Sequence, residues 1–194
     1  MLHNLYKFII ILILLLFFIS CQKTELLENI VFDNNQFEKI NINAELIEIN
    51  NSYEYKISEP FIDHTMLITP SQRIESWLED NVFIFGSLNK FVVNIEEASI
   101  IRNEIVNKDQ TKKIIDNKEY YYEINILMNF ILYDDADLIL ATTHVEVNRS
   151  TTSSKFISIN EKNHILDSLT FEALRDTTTK SIELLKMHMS EYML

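Results

Sequence analysis

The sequence predicts an α+β domain: a four-stranded antiparallel sheet in the order β-α-β-β-β-α, with two helices packed on one face. Three observations predict it. Long stretches alternate apolar and polar residues with period two, two segments repeat their apolar residues at helical spacing, and each of those segments opens on a capping-box pattern.

The first strand is read from Ile40, Ile42, Ala44 and Leu46, which face one way with Asn41, Asn43 and Glu45 between them. An irregular extended stretch, Tyr53 to Ile68, follows and contains Pro60. Thr69-Pro70-Ser71-Gln72 then reads as a helix start, with Thr69 as N-cap, Pro70 at the first helical position and Gln72 closing the box. Ile74, Trp77, Leu78, Val82 and Phe85 supply the apolar stripe. Gly86, the only glycine of the chain, is read as the left-handed residue that ends this helix.

Lys90 to Ile105 is the second strand. Its alternation changes phase at Glu96-Glu97, which predicts a bulge. Residues 107–118 are polar and read as a hairpin loop. Tyr120, Tyr122, Ile124, Ile126, Met128, Phe130 and Leu132 then mark the strongest strand, with Glu123, Asn125 and Asn129 toward water. Asp134-Asp135 turns the chain into a last strand with Ile139, Ala141, Thr143, Val145 and Val147 inward. Ser158-Ile159-Asn160-Glu161 opens a terminal helix expected to reach about Tyr192. Its apolar face includes Leu166, Leu169, Ala173, Thr177, Leu184 and His188. The weak helix formers around RDTTTKS predict a break near Thr170 or Thr177–Thr179. With one glycine and two prolines in 194 residues, tight turns fall to Asn and Asp, which tolerate left-handed backbone.

Upstream of this domain the chain carries an address. Lys7 precedes an unbroken apolar run, Phe8 to Ile19, too short for a bilayer core that needs about 20 residues but suited to a signal peptide. The run closes in Phe18-Ile19-Ser20-Cys21, after which the sequence turns polar. The small residue before the cysteine resembles a lipobox. The domain division is therefore a signal peptide over 1–20, a lipidated tether over 21–38 and one α+β domain over 39–194. The competing reading is an uncleaved membrane helix with a chance cysteine.

Cys21 is the only cysteine, so an intrachain disulfide and a multi-cysteine metal site are excluded. Acylation of Cys21 by more than one chain, palmitate among them, meets the condition for stable anchoring. Gln22 stands where an inner-membrane retention signal resembles Asp. By that analogy the destination is the outer membrane, on its periplasmic face. The formal charge of -12 becomes -13 without residues 1–20, whose only charged side chain is Lys7. Such a surface repels nucleic acid.

No catalytic or metal constellation is legible. His64, His144, His164 and His188 form no HExxH pattern, and His3 leaves with the signal peptide. Glu96-Glu97 are strand neighbours that point to opposite faces, and Asp134, Asp135 and Asp137 suit a turn better than a calcium site. No serine stands in a GxSxG elbow, and one glycine cannot build a phosphate loop. Tyr120–Tyr122 and Trp77 read as packing before they read as ligand stacking. No cofactor is expected.

The lipobox Cys21, the extended lead into Pro70, RIESWLEDN (73–81) and FVVNIEEASII (91–101) together resemble a family of uncharacterised lipoproteins of double-membraned bacteria, chiefly alphaproteobacterial. The architecture is more distantly similar to accessory lipoproteins of envelope transport and assembly systems. The resemblance implies a non-enzymatic accessory or docking component with a protein partner in the envelope. The alternative is a periplasmic carrier of lipid or a small ligand. It assigns no catalytic residue.

Overall fold

A computed structural model describes residues 27–106 and 118–194. Cys21, the signal peptide and nearly all of the expected 107–118 loop lie outside the described residues. The elements run β1 (Ile40–Ile42), β2 (Leu46–Asn51), α1 (Pro70–Asn81), β3 (Val82–Ile84), β4 (Lys90–Val106), β5 (Lys118–Tyr133), β6 (Ile139–Ser154) and α2 (Ile159–His188). Short 3-10 turns at Asn34–Gln36, Asp63–Thr65 and Ser190–Tyr192 join them.

The main sheet has the order β2-β4-β5-β6, and β1 pairs separately with β3. Antiparallel pairing holds for β4-β5 and β5-β6. The expectation of an all-antiparallel sheet fails at β2, which runs parallel to β4 from Leu46↔Lys90 to Asn51↔Ile95. The reason is connectivity: β2 reaches β4 through α1, and a crossover helix returns the chain to the same end of the sheet. Beyond β2 the irregular stretch continues along the same edge of β4, where Ile62 N–H donates to Ile100 O at 2.8 Å and Arg102 N–H to Pro60 O at 2.8 Å.

The expected first strand is two strands. Ile40, Ile42 and Ala44 are buried, but the chain bends at Asn43–Glu45, and Leu46 emerges 49% exposed. Asn43 N–H donates to Tyr192 O and Glu45 N–H to Leu88 O, so the ends of other elements take the backbone groups that one straight strand would have paired.

Both predicted capping boxes form, Thr69 with Gln72 and Ser158 with Glu161. The stop of α1 differs from expectation. The helix ends at Asn81, and Val82 begins β3, so Val82 and Phe85 leave the helical stripe. Gly86 is not a left-handed cap, since no glycine here has positive φ. A Cβ at Gly86 would lie 2.5 Å from Asn43 Oδ1 and 2.8 Å from the Ala44 nitrogen. Glycine is there so that the segment after β3 can press against the bend after β1. The left-handed positions are Asn89 (φ 71°) and Asp137 (φ 58°), the residue types expected to turn this chain.

α2 runs unbroken through its threonines and stops at His188, short of Tyr192. Thr170, Thr177 and Ser181 donate to the carbonyls of Leu166, Ala173 and Thr177 at 2.7–2.8 Å, so hydroxyls that compete with helical bonds in isolation are absorbed into the helix and buried. Leu166, Leu169, Ala173 and Thr177 face the core as expected, whereas His188 is exposed and Met189 takes the buried place beside it. The predicted bulge at Glu96 is present, with the register slipping between Ile95 and Glu97. A second slip at Leu132/Tyr133 leaves Ile139 61% exposed, contrary to its predicted inward position.

Trp77 and Leu78 of α1, Leu166 and Leu185 of α2, and the inner rows Phe91-Val93-Ile95 and Ile124-Ile126-Met128-Phe130 form one core. Both helices therefore cover the same face of the sheet. Phe32 and Phe37, inside the expected tether, pack on Phe171.

Candidate functional site

Because the helices occupy one face, the other face of the sheet carries no helix among the described residues, and cross-strand register sorts its side chains into rows. The first row, at the start of β4, is Leu46, Lys90, Tyr133 and Ile139. Lys90 lies over the Tyr133 ring at 5.2 Å and pairs with Asp137 at 3.3 Å. Leu138 and Leu140 flank Ile139 at 65% and 41% exposure, and Leu88 is 56% exposed, so this corner is an apolar patch at the rim of the sheet.

Further up, Asn50, Asn94, Asn129 and His144 stand in one row across all four strands. Asn50 Nδ2 donates to Asn94 Oδ1 at 3.1 Å. Asn129 Nδ2 donates to the Glu96 carboxylate, which the bulge places beside the row. With that amide committed, Asn129 Oδ1 is the acceptor in its 2.6 Å contact with His144 Nδ1, so Nδ1 carries the proton and Nε2 is left for a partner. A second network surrounds Glu123, which accepts from Tyr121 Oη at 2.7 Å, Asn148 Nδ2 at 2.9 Å and Asn125 Nδ2 at 3.3 Å. These donors, Tyr121 first, hold the Glu123 carboxyl below its ordinary range against the opposing effect of burial. Such a surface offers fixed amides, one imidazole nitrogen and an ionised carboxylate. That is chemistry for hydrogen-bonded recognition. A general acid–base pair needs carboxyls whose affinities for protons are driven apart.

The sequence-predicted candidates do not converge. Cys21 is outside the described residues. His64 sits on the Asp63–Thr65 turn with a buried Nδ1 that has no protein partner, His144 is in the amide row, His164 is on α2 and His188 is exposed. Among the described residues no three His, Cys, Asp or Glu side chains are grouped to hold a metal. Asp134 spends its carboxylate on the turn, accepting from Ala136 N–H and Leu138 N–H at 2.9 and 2.8 Å. Tyr122 is buried, and Tyr120 packs edge-on to it at 6.3 Å.

Two features escaped sequence reasoning. One is the Arg149 fork, which joins β6 to Asp176 and Glu172 of α2. The other is the unfilled acceptor of Asp63: the side chain is fully buried, Oδ2 accepts from Tyr53 Oη at 3.1 Å, and Oδ1 has no partner. The space between sheet and helices is filled by side chains such as Trp77, Phe91, Tyr122 and Phe130, all under 2% exposed. Grooves lie outside it, one of about 510 Å³ between β6 and α2 lined by Glu146, Asp176, Lys180 and Glu183.

No protein-family profile matches the chain, and no curated protein matches it. Solved structures resemble it at low identity. A minor lipoprotein of Acinetobacter baumannii is 8% identical with a TM-score of 0.41, over 73% of this chain and 90% of that one. Rare lipoprotein B of Shewanella oneidensis is 14% identical with a TM-score of 0.40, over 74% and 97%. A protein of Xanthomonas campestris is 12% identical with a TM-score of 0.40, over 78% and 88%. No helix among the described residues is long and apolar enough to cross a membrane.

Proposed function

We propose that this chain is a lipid-anchored lipoprotein of the bacterial envelope, facing the periplasm from the outer membrane, and that it serves a partner complex as a non-enzymatic docking component. The observation that carries the reading is the apolar run Phe8–Ile19 closing in Ser20-Cys21, with that cysteine the only one in the chain. The bare face of the sheet supports the docking part. An apolar corner beside a row of fixed amides is the composition of a recognition surface, with a desolvated centre and a polar surround. Ile139 belongs to the apolar corner, and Ile131 stands in the row between it and the amides.

Expression of the full chain in a host with an outer membrane tests the anchor. The amino-terminal peptide of the mature protein is expected to begin at Cys21 and to carry diacylglyceryl mass. Cys21→Ser is expected to remain unprocessed and unlabelled by palmitate. A mature protein with a free thiol at Cys21, or with residues 1–20 retained, refutes the anchor. For docking, a photo-crosslinking residue at Ile131 or Ile139 is expected to trap one discrete envelope protein, while the same residue at Met187 on α2 traps none. Equal yields at both sites refute the assignment of the face.

A further inference from the structure

The domain is unlike at its two ends, and the difference bears on how it sits at a membrane. One end is where α1 and α2 begin and where β4 and β6 finish. The amino-terminal segment travels toward it. Asn34 bonds to Ser76 and Asp80, in the middle and last turn of α1, at 3.1 and 2.8 Å. Two residues earlier, Phe32 lies under the Arg73 guanidinium of the first turn at 3.8 Å. Read toward residue 27, the chain thus runs antiparallel to α1 and heads for the loop that precedes its cap. At the tip of that loop Leu67 is 98% exposed.

Other large apolar side chains stand out at the same end: Ile57 at 82%, Phe156 at 69% and Ile159 at 69% exposure. They alternate with cations. Lys56 lies over Phe61 at 4.5 Å and Arg102 over Tyr120 at 4.6 Å. Lys118 and Lys155 share Glu104 at 2.8 and 2.6 Å, and Lys162 lies near enough to Arg102 to be repelled by it. Glu59 pairs with Arg102, and with Glu54, Asp63, Glu119 and Glu161 the acids described at this end exceed its cations by only one. Most of the acidic excess among the described residues therefore lies elsewhere. The opposite end also exposes leucines, but there Asp134, Asp135 and Asp137 share the turn with Leu138, and Lys90 pairs with Asp137. Anionic headgroups repel that end, while apolar side chains interleaved with Lys and Arg suit the boundary between headgroups and acyl chains.

We propose that the end carrying Ile57, Leu67, Phe156 and Ile159 rests on the bilayer surface, with those side chains at the headgroup boundary and Lys155 and Lys162 meeting lipid phosphates. This rests on acylation of Cys21, which holds the domain at the membrane; the docked end then sets which way the bare sheet face points.

The anchor itself makes the test clean. An acylated Cys21 has no free thiol, so a cysteine introduced elsewhere in the full acylated chain is the sole site for a bimane label. Leu67→Cys, Phe156→Cys and, at the far end, Leu138→Cys are reconstituted into phosphatidylethanolamine–phosphatidylglycerol vesicles that contain a nitroxide-bearing lipid. Quenching at positions 67 and 156 is expected to exceed that at 138 at least twofold. Adding Ile159→Glu, on an exposed site, is expected to lower the quenching at 67 without releasing protein from the vesicles. Equal or reversed quenching on vesicle-bound protein overturns the orientation and leaves the anchor standing. Labelling of the unsubstituted chain shows a free Cys21 thiol and overturns the anchor, and the orientation with it.

Discussion

At the scale of single residues, several side chains are fixed by contacts that sequence neighbours do not reveal. Gly86 reads as a helix stop because it follows an apolar stripe, yet its importance comes from the Ala44 backbone, forty-odd positions away, which a Cβ at Gly86 would meet at 2.8 Å. Gly86→Ala is expected to destabilise the domain by about 1–3 kcal/mol through overpacking. That should appear as a fall of several degrees in melting temperature with secondary structure preserved. Glu104 is held down to about 2 by hydrogen bonds from Lys118 and Lys155. Its folded affinity for protons is below the ordinary 4.5. The contribution is therefore complete above that value and is lost as pH falls from about 4.5 toward 2. Titration of its carboxyl carbon by NMR checks this, and Lys118→Ala with Lys155→Ala should return the midpoint toward 4.5. His144 was legible as a polar-face residue, because strand alternation alone assigns its side. Its tautomer was not, since that depends on where Asn129 spends its amide.

At the scale of elements, caps and bulges were the most readable features, because they are local. Thr69–Gln72, Ser158–Glu161 and Glu96-Glu97 each involve residues within a turn of one another. The unbroken course of α2 is not legible, for the opposite reason. Its threonines lower intrinsic helix propensity, but burial of Thr170, Thr177 and Ser181 against the sheet, with each hydroxyl bonded one turn back, overrides that cost. Thr179 differs, being exposed while its hydroxyl bonds to Arg175 O at 3.0 Å. Thr179→Ala should therefore stabilise the helix by about 0.5 kcal/mol, the propensity difference freed of any packing loss. Thr177→Ala, at a buried position, should destabilise. Urea midpoints of the two variants moving in the same direction would contradict this account. The split of the first strand was illegible, since the bend at Asn43–Glu45 is held by Tyr192 and Leu88, partners distant in sequence.

At the scale of the whole molecule, the sheet and the single covered face followed from the alternation, whereas the direction of β2 did not. Period two states which side a residue faces and is silent about whether its strand runs up or down. The parallel pair had to come from the return path through α1. The same connectivity ranks the strands. β5 is paired along both edges and buries its inner row from Tyr122 to Leu132, so its amides should exchange slowest, those of β1 and β3 much faster, as hydrogen–deuterium exchange read by mass spectrometry will show. Comparable protection in β1 and β5 would mean that the two sheets open as one.

β6 closes the sheet as an outermost strand, with sixteen residues and, among the described residues, no further strand beside it. From α2, Lys180 reaches across and donates to the Glu146 carbonyl at 2.6 Å, midway along that margin. A neighbouring copy seeking to add itself there must first strip an ammonium from its acceptor and give it back to water. Where copies of the chain lie side by side, that ammonium is an obstacle to strand-by-strand accretion along this margin.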